Sequence, residues 1–285
     1  MTISPSLEQW DSTLVTEDAM DECFTCGTDR SISNEEHHQD EALPRSSVSA
    51  FARIDALMDR NILASLGHDK FCTEENIMGA LSSAGERGTR LHLTHAFNVQ
   101  EFHHRRTGLS NIALLGQQFP SCVQRNYPLA LVPTVEVIGD LCHVSPITLQ
   151  ILLNAKQHGV NGDLAFITDA IADSTCPGKE LTYGETRKAY VAHDGRTVTD
   201  ENHVLCGSCT TLYQIFLSLV REIDVPVHHA VRMCSENPAK IAKLNDRVGS
   251  LRRGMLADIL VLDKDLAIRA VYVQGKEWAR CENKN

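Results

Sequence analysis

Residues 164–170 read Leu-Ala-Phe-Ile-Thr-Asp-Ala. A run this short and apolar has the length of a buried strand, and its carboxylate stands where the next loop begins. Three earlier segments repeat the layout. Asn61-Ile-Leu-Ala-Ser-Leu66 is followed by Gly67-His68-Asp69, and Leu91-His-Leu-Thr94 by His95-Ala-Phe-Asn98. Thr134-Val-Glu-Val-Ile138 is followed by Gly139-Asp140 and then His143. Helical patterns lie between them. One covers residues 73–84, with Thr73 as its N-cap and Gly85 as its stop. Another is opened by Ser145-Pro146 and runs through Leu149, Leu152 and Ala155 to His158-Gly159. This alternation predicts βα units around a parallel sheet. In parallel α/β barrels the C-terminal strand edge is where loops converge on a site, and each of the four segments ends there in a metal-ligand or acid/base residue.

Working outward, residues 208–220 read as a helix with Ser208 or Thr210 as cap, and residues 226–234 as a second. Asn237-Pro238-Ala239 reads as the start of a third, with proline at the first helical position. From residue 248 the character changes. Gly249, Gly254 and Gly275 punctuate runs such as Asp258-Ile-Leu-Val-Leu262 and Ile268-Arg-Ala-Val-Tyr-Val273, which predict the hairpin strands of a small β-domain. The expected organisation is an acidic, largely loop or disordered segment at 1–49, a barrel portion at 50–247, and a small β-domain portion with tail at 248–285.

At 285 residues the chain is long enough to bury a substantial core. Its formal net charge of −10 argues against nucleic acid as partner, because phosphate-backbone binding calls for a basic face. Much of that charge is local, since residues 1–43 hold eleven Asp and Glu against the single Arg30. No apolar run is long enough to cross a membrane, and the N-terminus lacks the pattern of a signal peptide, so a cytoplasmic protein is expected. In that compartment the ten cysteines read as free thiols. Cys23-Phe-Thr-Cys26, with His37 and His38 following, offers one Cys-x-x-Cys pair without a second, which is weak support for a metal site. Glu35, Glu36 and Asp40 are alternative sources of a carboxylate ligand.

Two imidazoles and a carboxylate at the ends of separate strands can converge on one divalent cation, zinc or iron, with a position left for water. His68 and His95 suit the ligand role, and Asp169 suits a general base that moves the proton. Each has a plainer reading. A strand-end histidine is often a hydrogen-bonded structural residue, and an aspartate after a strand often caps the next helix. Arg105 in His103-His-Arg-Arg106 reads on its own as part of a basic exposed loop.

An ordered set of motifs adds to this reading. Gly67-His68, Thr94-His95-Ala-Phe-Asn98, His104-Arg105-Arg-Thr-Gly108, Val137-Ile-Gly-Asp140-Leu-Cys-His143-Val-Ser-Pro146, Thr168-Asp169-Ala170, Leu205-Cys-Gly-Ser208, Asn237-Pro-Ala239 and Gly254-Met-Leu-Ala-Asp258 follow one another. Over residues 50–278 the chain resembles the N-acetylglucosamine-6-phosphate deacetylases. The resemblance implies an α/β fold, a partial TIM-type (β/α) barrel of the metal-dependent amidohydrolase class with a remnant of a small β-domain. It implies His68 and His95 as ligands of one divalent metal, Asp169 as catalytic acid/base, and Asn98, Arg105 and His143 as the groups that recognise the sugar phosphate. It also implies a homodimer. The family's pattern includes a His-x-His strand and a Leu-Glu-Gly-Pro strand before these motifs, the latter carrying a third metal ligand, and neither occurs here. The first strands of the barrel are therefore expected to be missing. Three functions stay open: a deacetylase of N-acetylglucosamine 6-phosphate, a non-catalytic remnant or sugar-phosphate-binding subunit, and another amidohydrolase activity such as cyclic-amide hydrolysis. The Arg105 and His143 motifs speak against the third.

Overall fold

The structure, a computed structural model, describes residues 50–69, 72–171, 174, 181–183 and 187–280. The acidic segment, with Cys23, Cys26, Glu35, Glu36, His37, His38 and Asp40, lies outside the described residues. Helix α1 (Ala50–Asp59) leads to strand β1 (Ser65–Leu66), α2 (Glu74–Glu86) and β2 (His92–Leu93). Two short helices, α3 (Leu109–Ala113) and α4 (Ser121–Asn126), precede β3 (Thr134–Ile138), and α5 (Pro146–Ala155) precedes β4 (Leu164–Ile167). The four strands form one sheet in the order β1-β2-β3-β4, every pair parallel. Parallel neighbours in sequence order, each reached through a helical crossover, are successive units of a (β/α) barrel wall.

The expected caps of two helices are in place. Thr73 accepts a hydrogen bond from Asn76 N at the start of α2, and Ser145 accepts one from Thr148 N ahead of Pro146. Helix α2 runs past the expected stop at Gly85 to Glu86. Gly85 instead serves packing, since a Cβ there would collide with the Leu129 carbonyl. On α5, Leu149, Leu152 and Leu153 are fully buried, each stabilising the fold by about 1.5–3 kcal/mol relative to exposure.

Three features depart from the sequence reading. Residues 181–208 contain an antiparallel meander of β5 (Leu181–Tyr183), β6 (Arg187–Val191), β7 (Thr197–Asp200) and β8 (Leu205–Ser208). Its β6–β7 turn holds Asp194-Gly195, with Gly195 at φ +66, a hairpin signal that the reading passed over. The helix expected at 208–220 is α6 (Leu212–Arg221), shorter at its start because Thr211 and Gln214 form a capping box, while Ser208 ends a strand. The short helix expected from Asn237 is present, but it continues the helix before it. α7 (Val227–Val231) passes through a π turn (Arg232–Glu236) into α8 (Asn237–Ile241) without a break. Pro238 has no N–H to offer Cys234 four residues back, and the wider turn takes up that mismatch.

The tail forms the expected β-unit, β9 (Ile259–Leu262), β10 (Ile268–Val273) and β11 (Lys276–Arg280), antiparallel in the order β11-β10-β9. Among the described residues, Cys72, Cys122, Cys142, Cys209 and Cys234 are free thiols. Burial pushes the Cys234 thiol up to about 12.

Asn237 ties α8 to the sheet. Its fully buried Nδ2 donates to the carbonyls of Gly159 and Leu164, both at 2.8 Å. Replacing it with alanine removes both bonds and leaves Gly159 O only its bond from Gly162 N, at about 1–3 kcal/mol for a buried group left unsatisfied. Asn237→Ala is therefore expected to lower the midpoint of urea unfolding with little change in slope. An unchanged midpoint would mean that this tie does not hold the helix to β4.

Candidate metal and acid/base site

The site is built on strand ends. Leu66 pairs with Leu93 and Leu93 with Val135, while Ile138 pairs with Ile167. His68, His95, Asp140 and Asp169 each lie two residues beyond one of these strand ends, so a common register delivers all four to one edge.

The two histidines meet. Their rings stack with centroids 4.4 Å apart and planes at 18°. Gly67 permits this approach, because a Cβ there would stand 2.5 Å from Thr94 Cγ2 and 2.8 Å from His95 Cε1. His68 Nε2 and His95 Nδ1 are buried without a hydrogen-bond partner. Burial and the neighbouring His68 push His95 below the ordinary imidazole range, against an opposing pull from Asp169 and Glu136. An uncharged imidazole keeps the lone pair that a metal takes. Orphaned ring nitrogens on two facing imidazoles fit a divalent ion as two of its ligands. Among the described residues no group of three or more His, Cys, Asp or Glu side chains is arranged to hold a metal. The expected imidazole–imidazole–carboxylate convergence is thus present as a histidine pair, with Asp169 felt by His95 through its charge.

All three residues are held in the left-handed backbone region, His68 at φ 41, His95 at φ 29 and Asp169 at φ 49. Each such non-glycine residue costs on the order of 1–3 kcal/mol, so the surroundings must impose it. Around His95, Ala96 N donates to Glu136 O at 2.8 Å and Asn98 N donates to His95 O at 2.9 Å. Gln100 clamps the same turn, donating from Nε2 to Thr94 O at 3.1 Å and accepting from Phe97 N at 3.3 Å. Around Asp169 the work falls to β8. Ser208 N donates to Asp169 O at 2.7 Å, Ser208 Oγ donates to Thr168 O, and Ile171 N donates to Ser208 O at 3.1 Å. Gly207 at φ +152 leaves room, since a Cβ there would stand 2.9 Å from Asp169 O. Sequence reasoning placed Ser208 at a helix start. The signal that could have corrected it is Gly207, a residue suited to close backbone approach.

The three residues expected to recognise a sugar phosphate fall in different settings. Asn98 is half-buried in the His95 turn. His143 is oriented by Asp140, whose Oδ1 accepts from Cys142 N and His143 N, both at 2.9 Å, and whose Oδ2 meets His143 Nδ1 at 2.5 Å. Burial alone would raise the Asp140 carboxyl, but His143 and these backbone N–H groups hold it below its ordinary value. Arg105 is exposed, in the loop where Arg106 pairs with Glu101 at 2.9 Å.

Behind His95 lies a charge in the interior. Glu136 is 1% exposed and meets His92 Nε2 at 3.2 Å, while Thr94 Oγ1 donates to Glu136 Oε1 at 2.5 Å. Burial alone would raise this carboxyl. His92 beside it and the Thr94 hydroxyl outweigh burial and hold it below the ordinary value. Desolvating an ion costs several kcal/mol, so the group persists only because these partners surround it.

Residues 47–278 match the Amidohydrolase family. The chain is 28% identical over 237 residues to N-acetylglucosamine-6-phosphate deacetylase of Vibrio furnissii, covering 82% of this chain and 52% of that one. To the Danio rerio enzyme of the same name it is 29% identical over 243 residues, covering 82% and 53%. The crystal structure of N-acetylglucosamine-6-phosphate deacetylase from Pasteurella multocida superposes with a TM-score of 0.65 at 21% identity, covering 81% of this chain and 54% of that one. The chain therefore spans about half the length of the curated relatives it matches, and its fold is α/β of the TIM-barrel type with an added antiparallel unit. The chain belongs to the amidohydrolase family.

Proposed function

We propose that the chain hydrolyses the acetamide of N-acetylglucosamine 6-phosphate, giving glucosamine 6-phosphate and acetate. The observation that carries this reading is the pair of stacked imidazoles with orphaned nitrogens at the ends of β1 and β2, with Asp169 at the same sheet edge. The substrate class comes from the relatives' names. Metal dependence is general in the amidohydrolase family, and His68 and His95 would hold one divalent ion, zinc or iron. Such an ion supplies a more acidic bound water and a polarised acetamide carbonyl. Asp169 takes a proton from water as the new C–O bond forms and delivers it to the amine nitrogen as the C–N bond breaks. His143, fixed by Asp140, and Asn98, fixed in the His95 turn, bind the sugar. Arg105 is the planar cation for the phosphate.

This reading takes the protein to be cytoplasmic and homodimeric, with residues 50–247 as the barrel portion, 248–285 as the small β-domain portion and 1–49 as a separate acidic segment. Among the described residues no helix is long and apolar enough to cross a membrane. One observation favours a second reading, a sugar-phosphate-binding chain without turnover: the described residues provide two metal donors and no third.

Acetate release from N-acetylglucosamine 6-phosphate in the presence of zinc or iron(II) separates the two. Asp169→Asn is expected to lower kcat at least about 100-fold, the usual size of a general acid/base contribution, with binding of the sugar phosphate retained. Binding without turnover by the unaltered chain would favour the second reading, and an Asp169→Asn variant as active as the original would remove Asp169 from the mechanism. Gly67→Ala pushes a methyl into Thr94 and His95 and is expected to weaken zinc binding about tenfold or more, read by chelator competition. Unchanged affinity would show that the two rings need not approach as closely as they do. For Arg105→Ala the expected outcome is a higher KM for the 6-phosphate and little change for unphosphorylated N-acetylglucosamine. An equal effect on both would assign Arg105 elsewhere.

A further inference from the structure

The interior carboxylate on β3 is not explained by the roles assigned above. By strand alternation Glu136 shares its face of β3 with Thr134 and Ile138, and it is the one carboxylate among them. Glu136 sits opposite Ala165 in the ladder, and the β2–β3 register of His92 with Thr134 and Leu93 with Val135 carries Thr94 to a position alongside it. The residue is gripped from its own chain and from its neighbour. Its side chain accepts from Thr94 Oγ1, and its backbone carbonyl accepts from Ala96 N at 2.8 Å. Thr94 and Ala96 are the residues on either side of His95. One residue of β3 thus holds both flanks of a left-handed turn whose central residue, at φ 29, would not keep that conformation unaided.

His92 completes the arrangement. Its Nε2 faces Glu136 Oε2 at 3.2 Å, and its Nδ1 meets Thr134 Oγ1 at 2.8 Å. Both His92 and Glu136 have side chains 1% exposed, so the carboxylate is shut off from bulk solvent. Its Oε1 accepts from the Thr94 hydroxyl, while Oε2 lies within ion-pair distance of His92 Nε2 without a hydrogen bond. The Gln100 clamp acts on the far side of the same turn, through Thr94 O and Phe97 N. Gln100 does not touch the Thr94 hydroxyl, which leaves that group to Glu136.

We infer that Glu136 is a positioning residue: through the Thr94 hydroxyl and the Ala96 amide it fixes the His95 turn, and with it the aim of the His95 ring toward His68. His92 keeps the carboxylate in the orientation that receives Thr94. This rests on reading the His68–His95 pair as a metal site only for its consequence, since the ring's placement is measurable without metal. Outer groups that orient a metal ligand typically change affinity 10–100-fold when removed.

The test uses the full chain and three variants. Thr94→Val removes the hydroxyl at nearly constant shape, Thr94→Ser restores it, and Glu136→Gln keeps an oxygen acceptor and the backbone carbonyl. The first measurement is the mobility of the His95 ring in metal-free protein, from carbon relaxation of the imidazole by NMR, with the remote His228 as internal reference. The second is zinc affinity by chelator competition. In Thr94→Val the His95 ring is expected to become mobile while His228 is unaffected, with zinc affinity down about 10–100-fold. Thr94→Ser is expected to recover both, and Glu136→Gln to keep the ring ordered. If Thr94→Val does not fold, Thr94→Ala removes the same hydroxyl without adding a buried methyl and carries the same expectation. A His95 ring as ordered in the hydroxyl-deleted variant as in the original overturns the inference, even if the protein melts at a lower temperature. A ring that loosens in a protein that binds no zinc upholds the positioning role and overturns the metal reading instead.

Discussion

Side-by-side parallel strands carry their C-terminal ends to the same edge, so the register of the β1–β4 ladder decides where the polar residues of this chain can act. Ser65 faces His92, His92 faces Thr134, and Val135 faces Leu164. A slip of one residue at any pair would send the alternating side chains to the other face and take Thr94 away from Glu136. The ladder is fixed by what it buries. Leu66, Leu93, Val135, Val137, Leu164 and Phe166 are each at most 2% exposed, and helices α2 and α5 cover the sheet with Ile77, Leu81, Leu149 and Leu152. Burial of that size, at about 1.5–3 kcal/mol for each large side chain, exceeds the strain of about 1–3 kcal/mol at each of His68, His95 and Asp169.

The site's chemistry follows from the same economy of placement. Stacked imidazoles with buried, unshared ring nitrogens are costly without a partner, and a divalent ion is the partner that suits them. Asp169 is held by Ser208 of β8, a strand of the antiparallel meander, so that meander is tied to the end of β4. Glu136 and His92 form a second layer beneath His95. The visible site is therefore supported from two sides, by the buried Glu136 and His92 and by an added hairpin strand.

Much of the fold was legible because it rests on local pattern. The four apolar runs, their polar ends, and the caps Thr73 and Ser145 could be read from the residues because strand length, turn and N-cap signals are short-range. The β-unit of the tail was legible for the same reason. The meander at 181–208 was passed over although Asp194-Gly195 marks a hairpin, because its strands are short and partly polar. The boundary of α6 turned on Thr211 and Gln214, a capping box that competes with nearby Ser208 and Thr210 in sequence and wins by geometry. Glu136 was invisible as a functional residue because a carboxylate in a strand normally faces water. Its meaning depends on His92 and Thr94 across the ladder, which only the register reveals. Arg105 shows the reverse: the motif singled it out, while the fold leaves it exposed on its loop.

The central claim is that His68 and His95 together ligate one metal ion. Zinc K-edge X-ray absorption of the stoichiometrically loaded chain tests it most directly, because imidazole scattering differs from that of thiolate sulfur. The account predicts a first shell of nitrogen and oxygen at about 2.0–2.1 Å with the outer-shell pattern of two imidazoles, reduced to one in either His68→Ala or His95→Ala. A shell dominated by sulfur at about 2.3 Å, or an imidazole signal unchanged by both substitutions, would contradict it.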